Sequence, residues 1–117
     1  MCLEQTEPTT STKLRRLANA VERNRRFNLM DSDHCIIAIG QRFDPATETF
    51  SNKRIETNAV RSVPIFANKY GVSESEAQNL WVGHYFDEAV VPLLTGTAKQ
   101  AATLLRRLAD DYAPQNN

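Results

Sequence analysis

The apolar positions of this chain recur mainly at helical spacing. Near the N-terminus one helical face collects four apolar side chains, Leu14, Leu17, Ala18 and Val21. Near the C-terminus the same spacing returns in Ala101, Leu104, Leu105, Leu108 and Tyr112. Both stretches therefore predict amphipathic helices with one face in the core. Thr12 is expected to cap the first helix, and Thr97 with Gln100 forms a capping-box pattern before the last.

The stretch from Phe66 to Trp81 predicts two helices joined by a tight turn. Gly71 closes the first helix, at a position where a positive φ is usually needed. Ser73 opens the second helix, and Glu76 completes a capping box with it. The apolar residues around the turn occupy the positions at which a helix-turn-helix places its inward side chains: Ala67, Tyr70, Val72, Ala77 and Leu80.

This helix-turn-helix-like element is expected near residues 64–82. Pro64 lies close to the predicted start of its first helix, where the missing N–H of proline costs nothing. The second helix is expected to reach at least Trp81 and to end near Gly83. Trp81 itself is expected to be buried against the final helix, whose leucines form a complementary stripe.

The segment from His34 to Gly40 fits two structures. Its three isoleucines in a short run suit a buried strand, whereas the spacing of Cys35, Ile39 and Phe43 suits one helical face. An isolated strand leaves its backbone groups unsatisfied, and no second convincing strand is present to pair with it. We therefore favour a short buried helix here. The polar residues 44–58 that follow predict a long surface loop, which is uncommon in a compact domain.

These elements together predict an all-α fold of about five helices in one compact domain, with no sheet. A chain of 117 residues is long enough for one domain with a modest core. Residues 1–11 are polar and rich in threonine, and are expected to form a disordered N-terminal tail. The helical domain then covers residues 12–113, and residues 114–117 form a C-terminal tail.

Several short motifs follow one another in a recognisable order. A Leu-Arg-Arg-Leu-Ala helix precedes a Phe-Asn-Leu-Met-Asp segment, and a small-residue helix with Cys35 ends at Gly40. A Tyr-Gly-Val-Ser-Glu-Ser-Glu-Ala turn and a Thr-x-x-Gln-Ala-Ala helix complete the series. From Leu14 to Leu108 this order resembles a group of small uncharacterised bacterial and phage proteins. That group usually has two cysteines around the small-residue helix, where only Cys35 stands here; the resemblance implies a helical fold and no function.

The overall charge limits the classes of partner. Fourteen basic and fourteen acidic side chains cancel, and this balance argues against a protein that coats nucleic acid. Cys2 lies in the predicted tail, so a structural disulfide with Cys35 is not expected, and this favours a reducing compartment. The first residues lack the apolar core of a signal peptide, and no apolar run approaches the length of a membrane span. We therefore expect a cytoplasmic protein that does not enter membranes.

The residues with reactive side chains do not combine into a recognisable catalytic or metal site. His34 and Cys35 are adjacent, so their side chains point apart and cannot form a catalytic pair. Adding Cys2 and His84 gives spacings that match no zinc pattern. A polar cluster after Trp81 is more typical of an interhelix junction than of an acid–base site: His84, Tyr85, Asp87 and Glu88. We therefore expect no enzyme activity, no metal and no cofactor.

The first predicted helix carries the most uneven charge in the chain. Between Lys13 and Arg26 six basic residues stand against Glu22 alone. Such a patch can steer an acidic partner toward the domain at long range. We therefore predict a non-catalytic binding module, most simply one that binds another protein, with a host-interaction or accessory role admitted by the phage-like resemblance. The predicted partner-binding residues are Arg15, Arg16, Arg23 and Arg26.

The alternative is a DNA-binding regulator that uses the segment 64–81. Gln78 and Asn79 would contact base edges, because amides pair well with adenine. Basic residues before and within the element would hold phosphates: Lys53, Arg54, Arg61 and Lys69. Against this alternative, the second helix offers Glu74 and Glu76, which a phosphate backbone repels.

Overall fold

The described part of the chain is mostly helical, as the sequence predicts. The computed structural model describes residues 8–25, 27, 35–80 and 98–112. Within these residues the elements are α1 (Thr10–Arg23), α2 (Ile36–Arg42), β1 (Phe43–Asp44), β2 (Thr49–Phe50), α3 (Ala59–Tyr70), α4 (Glu74–Asn79) and α5 (Ala98–Asp111). None of the helices in these ranges is long and apolar enough to cross a membrane.

The first and last of these helices, α1 and α5, pack along one another. The predicted apolar stripe of α1 is confirmed, because Leu14, Leu17, Ala18 and Val21 are fully buried. In α5 the buried face consists of Ala101, Ala102, Leu105 and Ala109, whereas Leu104 and Leu108 are only partly buried. The predicted stripe of α5 is therefore rotated toward its alanines, whose small side chains allow close packing between helices.

The start of α1 differs from the prediction. The helix begins at Thr10, and the side chain of Thr9 accepts a hydrogen bond from the backbone N–H of Thr12 at 3.2 Å. The predicted cap at Thr12 is therefore wrong, because Thr9 offers an equally good hydroxyl one turn earlier. Thr10 and Ser11 consequently belong to the helix, and Ser11 is buried although it was assigned to the tail.

Helix α2 confirms the helical interpretation of the isoleucine-rich segment. Residues 35–40 are all buried, so the segment is apolar on every side. Its backbone satisfies its own hydrogen bonds, for example from the N–H of Ile39 to the carbonyl of Cys35 at 2.9 Å. A lone strand in this position would have lacked that partner. The O–H of Tyr70 donates to the carbonyl of Gly40 at 2.8 Å, and the helix ends two residues later at Arg42.

A two-stranded hairpin begins at Phe43 and extends into the stretch 44–58 predicted to be a loop. Strands β1 and β2 are antiparallel, with Phe43 opposite Phe50 and Asp44 opposite Thr49. The two phenylalanine rings lie 5.2 Å apart between centroids. The prediction of no sheet is therefore wrong in this detail. Two residues in each strand are too few to give the alternating pattern by which a strand is recognised in sequence.

Helix α3 begins earlier than predicted, at Ala59, so Pro64 lies inside the helix and not at its start. The cause is Asn58, whose side chain accepts a hydrogen bond from the N–H of Val60 at 2.9 Å and caps the helix. The predicted end is confirmed, because Gly71 follows the helix in the left-handed conformation with φ of 78°.

Helix α4 has the predicted capping box. The hydroxyl of Ser73 accepts from the N–H of Glu76 at 3.0 Å, and the Glu76 carboxylate accepts from the N–H of Ser73 at 3.1 Å. The helix is shorter than predicted, because Leu80 already forms its C-terminal cap. Trp81, whose burial the sequence predicts, lies outside the described residues, as does Gly83.

Candidate functional site, a cationic cleft

Two arginines of α1, Arg15 and Arg16, contact other parts of the fold. Arg15 forms an ion pair with Asp110 of α5, with 2.6 Å between nitrogen and oxygen. Arg16 donates to the carbonyl of Pro45 at 2.8 Å and lies 3.8 Å from the carboxylate of Glu48. The structure therefore places these two predicted partner-binding residues against α5 and the hairpin turn. Arg23 is exposed in the last turn of α1, and Arg26 lies outside the described residues.

The residues of the alternative DNA site differ in their exposure. Arg61 and Gln78 are exposed, whereas Lys69 is half-buried. The ammonium of Lys69 donates to the carbonyl of Gln41 at 2.8 Å. Asn79 is the last residue of α4, a helix of only six residues. The two helices and the turn at Gly71 are thus present, but the second helix is less than two turns long.

Glu76 is half-buried and forms hydrogen bonds within the fold. The phenolic O–H of Tyr112, just beyond α5, donates to the Glu76 carboxylate, which also closes the capping box with Ser73. Burial raises the pKa of Glu76, but the hydrogen bonds from Tyr112 and Ser73 outweigh it and lower the pKa below its ordinary value. Glu76 is therefore hydrogen-bonded within the fold, whereas Glu74 is exposed.

A cleft lies between the end of α2, strand β1, the segment after β2 and the outer face of α3. Its volume is about 310 Å³. Four cationic side chains and one carboxylate line it: Arg42, Lys53, Arg54, Lys69 and Asp44. The rest of the described lining consists of the apolar residues Phe43, Ile55 and Ile65 and the polar residues Gln41 and Ser51. Positive charge and aliphatic surface therefore meet in one concavity.

Lys69 is fixed by its contacts at the base of this cleft. Its ammonium caps the last turn of α2 by donating to Gln41, where the helix dipole favours a cation. Burial lowers the pKa of Lys69, the Asp44 carboxylate opposes this effect, and the charge of Lys13 adds to it. Lys13 in turn donates to the backbone carbonyl of Lys69 at 2.9 Å and so holds the end of α3.

The amide of Gln41 holds the outer wall of the cleft. Its nitrogen donates to the carbonyl of Glu56 at 2.8 Å, and its oxygen accepts from the N–H of Glu56 at 3.0 Å. The Gln41 side chain thus satisfies both backbone hydrogen-bonding groups of Glu56, which a neighbouring strand would satisfy in a sheet. At the other end, the N–H of Ser51 donates to the carbonyl of Arg42 at 2.8 Å. Part of the predicted loop is therefore held in place by backbone hydrogen bonds.

Asp44 is the acidic member of the described lining. The backbone N–H of Ala46 donates to its carboxylate at 2.9 Å and lowers the pKa of Asp44 below its ordinary value. The carboxylate therefore stays charged near neutral pH and faces an excess of cations. This excess makes the cleft attractive to anionic groups.

Sequence reasoning had placed three of the cleft cations together, but for another purpose. Lys53, Arg54 and Lys69 were grouped with Arg61 as phosphate contacts, whereas Arg61 lies outside the cleft lining. Arg42 was missed, although a basic residue near the predicted end of a short helix was a usable signal. The outer wall of the cleft is held by the contacts between Gln41 and Glu56, and no local sequence pattern predicts these contacts.

The described residues offer no assembled reactive centre. Cys35 is buried and forms no disulfide with a described residue, and no group of three or more histidine, cysteine or acidic side chains comes together in the described ranges. The other candidates lie outside those ranges: Cys2, His34, His84, Tyr85, Asp87 and Glu88. No family model, curated protein or solved structure matches this chain. The resemblance to small bacterial and phage proteins therefore stays a prediction.

Proposed function

We propose that this chain is a non-catalytic binding module of the cytoplasm that docks another protein through the cationic cleft. The supporting observation is that Lys53 and Arg54 share one concavity with the aliphatic side chains of Ile55 and Ile65. Protein interfaces commonly combine an apolar anchor with charged groups at the rim, where charge guides the approach and selects the partner.

This proposal moves the binding surface away from the first helix. Arg15 and Arg16 already contact Asp110, Pro45 and Glu48, so a partner would have to compete with these contacts. The cleft, by contrast, has exposed cations at Lys53 and Arg54. The α1 surface with Arg15, Arg16, Arg23 and Arg26 remains the competing site for a protein partner.

The runner-up function is a DNA-binding regulator that uses the segment 64–81. Exposed Arg61 and Gln78 support it. Three observations weigh against it: α4 has only six residues, exposed Glu74 lies in its first turn, and the ammonium of Lys69 is directed to Gln41. The negative charge of Glu74 would repel a phosphate backbone and lower the affinity for DNA, so the protein-binding proposal is preferred.

Affinity purification of the full chain from its cell of origin, with and without nuclease, tests both functions. Two variants with the same change in charge are compared, Lys53→Glu/Arg54→Glu in the cleft and Arg23→Glu/Arg25→Glu on exposed residues at the end of α1. We expect nuclease-resistant capture of a protein that the cleft variant loses and the α1 variant keeps. If nuclease treatment abolishes the capture, the DNA-binding regulator is favoured. If only the α1 variant loses the captured protein, the first helix is favoured as the binding surface.

A further inference from the structure

We infer that the ligand of the cleft is a short extended acidic peptide segment in which one aliphatic side chain stands next to carboxylates. The aliphatic side chain would lie against Ile55 and Ile65, and the carboxylates would meet Lys53 and Arg54. This inference rests on the proposed function and adds the chemistry of the partner.

The charges of the cleft select an acidic ligand. Lys53 and Arg54 are exposed and adjacent in sequence, and Arg42 adds a third cation from the last turn of α2. A guanidinium binds a carboxylate with two parallel hydrogen bonds, whereas an ammonium acts as a point charge. Asp44 repels carboxylates from its own side of the cleft, so the ligand's acids are directed toward Lys53 and Arg54.

The aliphatic wall of the cleft, formed by Ile55 and Ile65, favours an apolar side chain in the same ligand. Ile65 is 45% exposed although it lies on a helix that contributes to the core. Ile55 is half-buried and approaches from the segment held by Gln41. Covering these two side chains with an apolar group removes hydrocarbon surface from water, which a purely acidic ligand would leave exposed.

The same cleft is poorly suited to nucleic acid. Binding to single strands usually relies on exposed aromatic rings on which bases stack. Phe43 is the one aromatic residue among the described lining residues. It is only 2% exposed, so its ring is not available for stacking. A volume of about 310 Å³ admits a few side chains and not the surface of a globular partner. A short peptide segment satisfies both the size and the lining.

The walls of the cleft are ordered before a ligand arrives. Gln41 holds the backbone of Glu56 with two hydrogen bonds, and the N–H of Lys53 donates to the hydroxyl of Ser51 at 3.0 Å. A preformed site loses less conformational freedom on binding, so even a short peptide can bind measurably.

Nuclear magnetic resonance titration of the full chain tests this inference with defined probes. The main probe is a peptide with blocked ends and the sequence Glu-Asp-Leu-Glu-Asp. One matched peptide replaces leucine with serine, another replaces all four acids with their amides, and a short single-stranded oligonucleotide and a short duplex complete the set. The readout is the shift of the Lys53, Arg54 and Ile55 amides and of the Ile65 methyl groups.

The acidic peptide with leucine should shift these signals in a manner that weakens with salt. Its affinity should fall about tenfold in Lys53→Glu/Arg54→Glu, because exposed charge pairs each contribute modestly. Affinity should stay unchanged in Lys99→Glu/Arg107→Glu, which makes the same change of charge on exposed α5 residues outside the cleft lining. Loss of the leucine, or Ile65→Ser in the protein, should weaken binding by a similar factor. Unchanged signals outside the cleft show that each variant is folded.

Two outcomes would overturn the inference. Equal binding by the serine peptide would show that the aliphatic wall takes no part. Comparable binding by either oligonucleotide at the same signals would show a general anion site. If purification identifies a cleft-dependent protein partner while these peptides leave the cleft signals unmoved, the proposed function stands and only the ligand class fails.

Discussion

Gly40 of α2 lies so close to the ring of Phe66 in α3 that a Cβ at position 40 would come within 2.8 Å of Phe66 Cδ2. Phe66 cannot easily move, because it is fully buried and stacked on Tyr70 with 4.5 Å between ring centroids. The O–H of Tyr70 also donates a hydrogen bond to the carbonyl of Gly40. The absence of a side chain at position 40 therefore allows the close approach of α2 to α3.

Gly40→Ala should destabilise the domain, although alanine usually favours a helix over glycine by roughly 0.5–1 kcal/mol. Overpacking against Phe66 should outweigh that gain and leave a net loss of about 1–3 kcal/mol in the free energy of unfolding. Denaturant titration followed by circular dichroism measures the change. Unaltered or increased stability would mean that the α2–α3 contact relaxes without cost.

Gly71→Val should lower the free energy of unfolding by at least about 1 kcal/mol, because φ of 78° strains a β-branched residue. A side chain at position 71 would also press on the hydroxyl of Thr10. Ser73→Ala, which keeps the backbone and removes the cap, should cost on the order of 1 kcal/mol. If neither variant shifts the denaturant midpoint, the turn contributes nothing to stability.

The local features of this fold could be predicted and the long-range ones could not. Gly71 and the Ser73–Glu76 box were readable because each acts within one turn of chain. The α1 arginines were assigned to a partner because their intramolecular contacts lie far away in sequence, as in the pair between Arg15 and Asp110. The cleft is also a long-range feature, because Lys53 and Lys69 line one cavity although they lie far apart in sequence.

The contact between Glu76 and Tyr112 should make stability depend on pH at both ends of the scale. Its hydrogen bonds lower the pKa of Glu76, so this contribution is present above the unfolded value near 4.3 and is lost as pH falls through the folded pKa. The hydrogen bond to Glu76 raises the pKa of Tyr112, so that contribution is present below about 10 and is lost as pH rises further.

Tyr112→Phe should therefore reduce stability near neutral pH and flatten both flanks of the pH profile. The ring is retained, so the change reports the hydrogen bond and not the packing. The measurement is the free energy of unfolding from about pH 3 to 11, a span set by the two ordinary pKa values. Wild-type and variant curves that run parallel over the whole range would show that the contact is not formed in solution.

Gln41→Ala should loosen the outer wall of the cleft without changing its charge. The variant removes both hydrogen bonds to Glu56, while α2 keeps its buried residues, since Gln41 is half-buried near the helix end. The N–H of Glu56 should then exchange with solvent faster, whereas that of Ile39, bonded to Cys35 within α2, should keep its protection. Gln41→Glu retains the accepting oxygen and should give intermediate exchange.

Because a less ordered site loses more conformational freedom on binding, the acidic peptide should also bind Gln41→Ala more weakly. Unchanged exchange at Glu56 would mean that other contacts hold the segment and that the cleft does not depend on this amide.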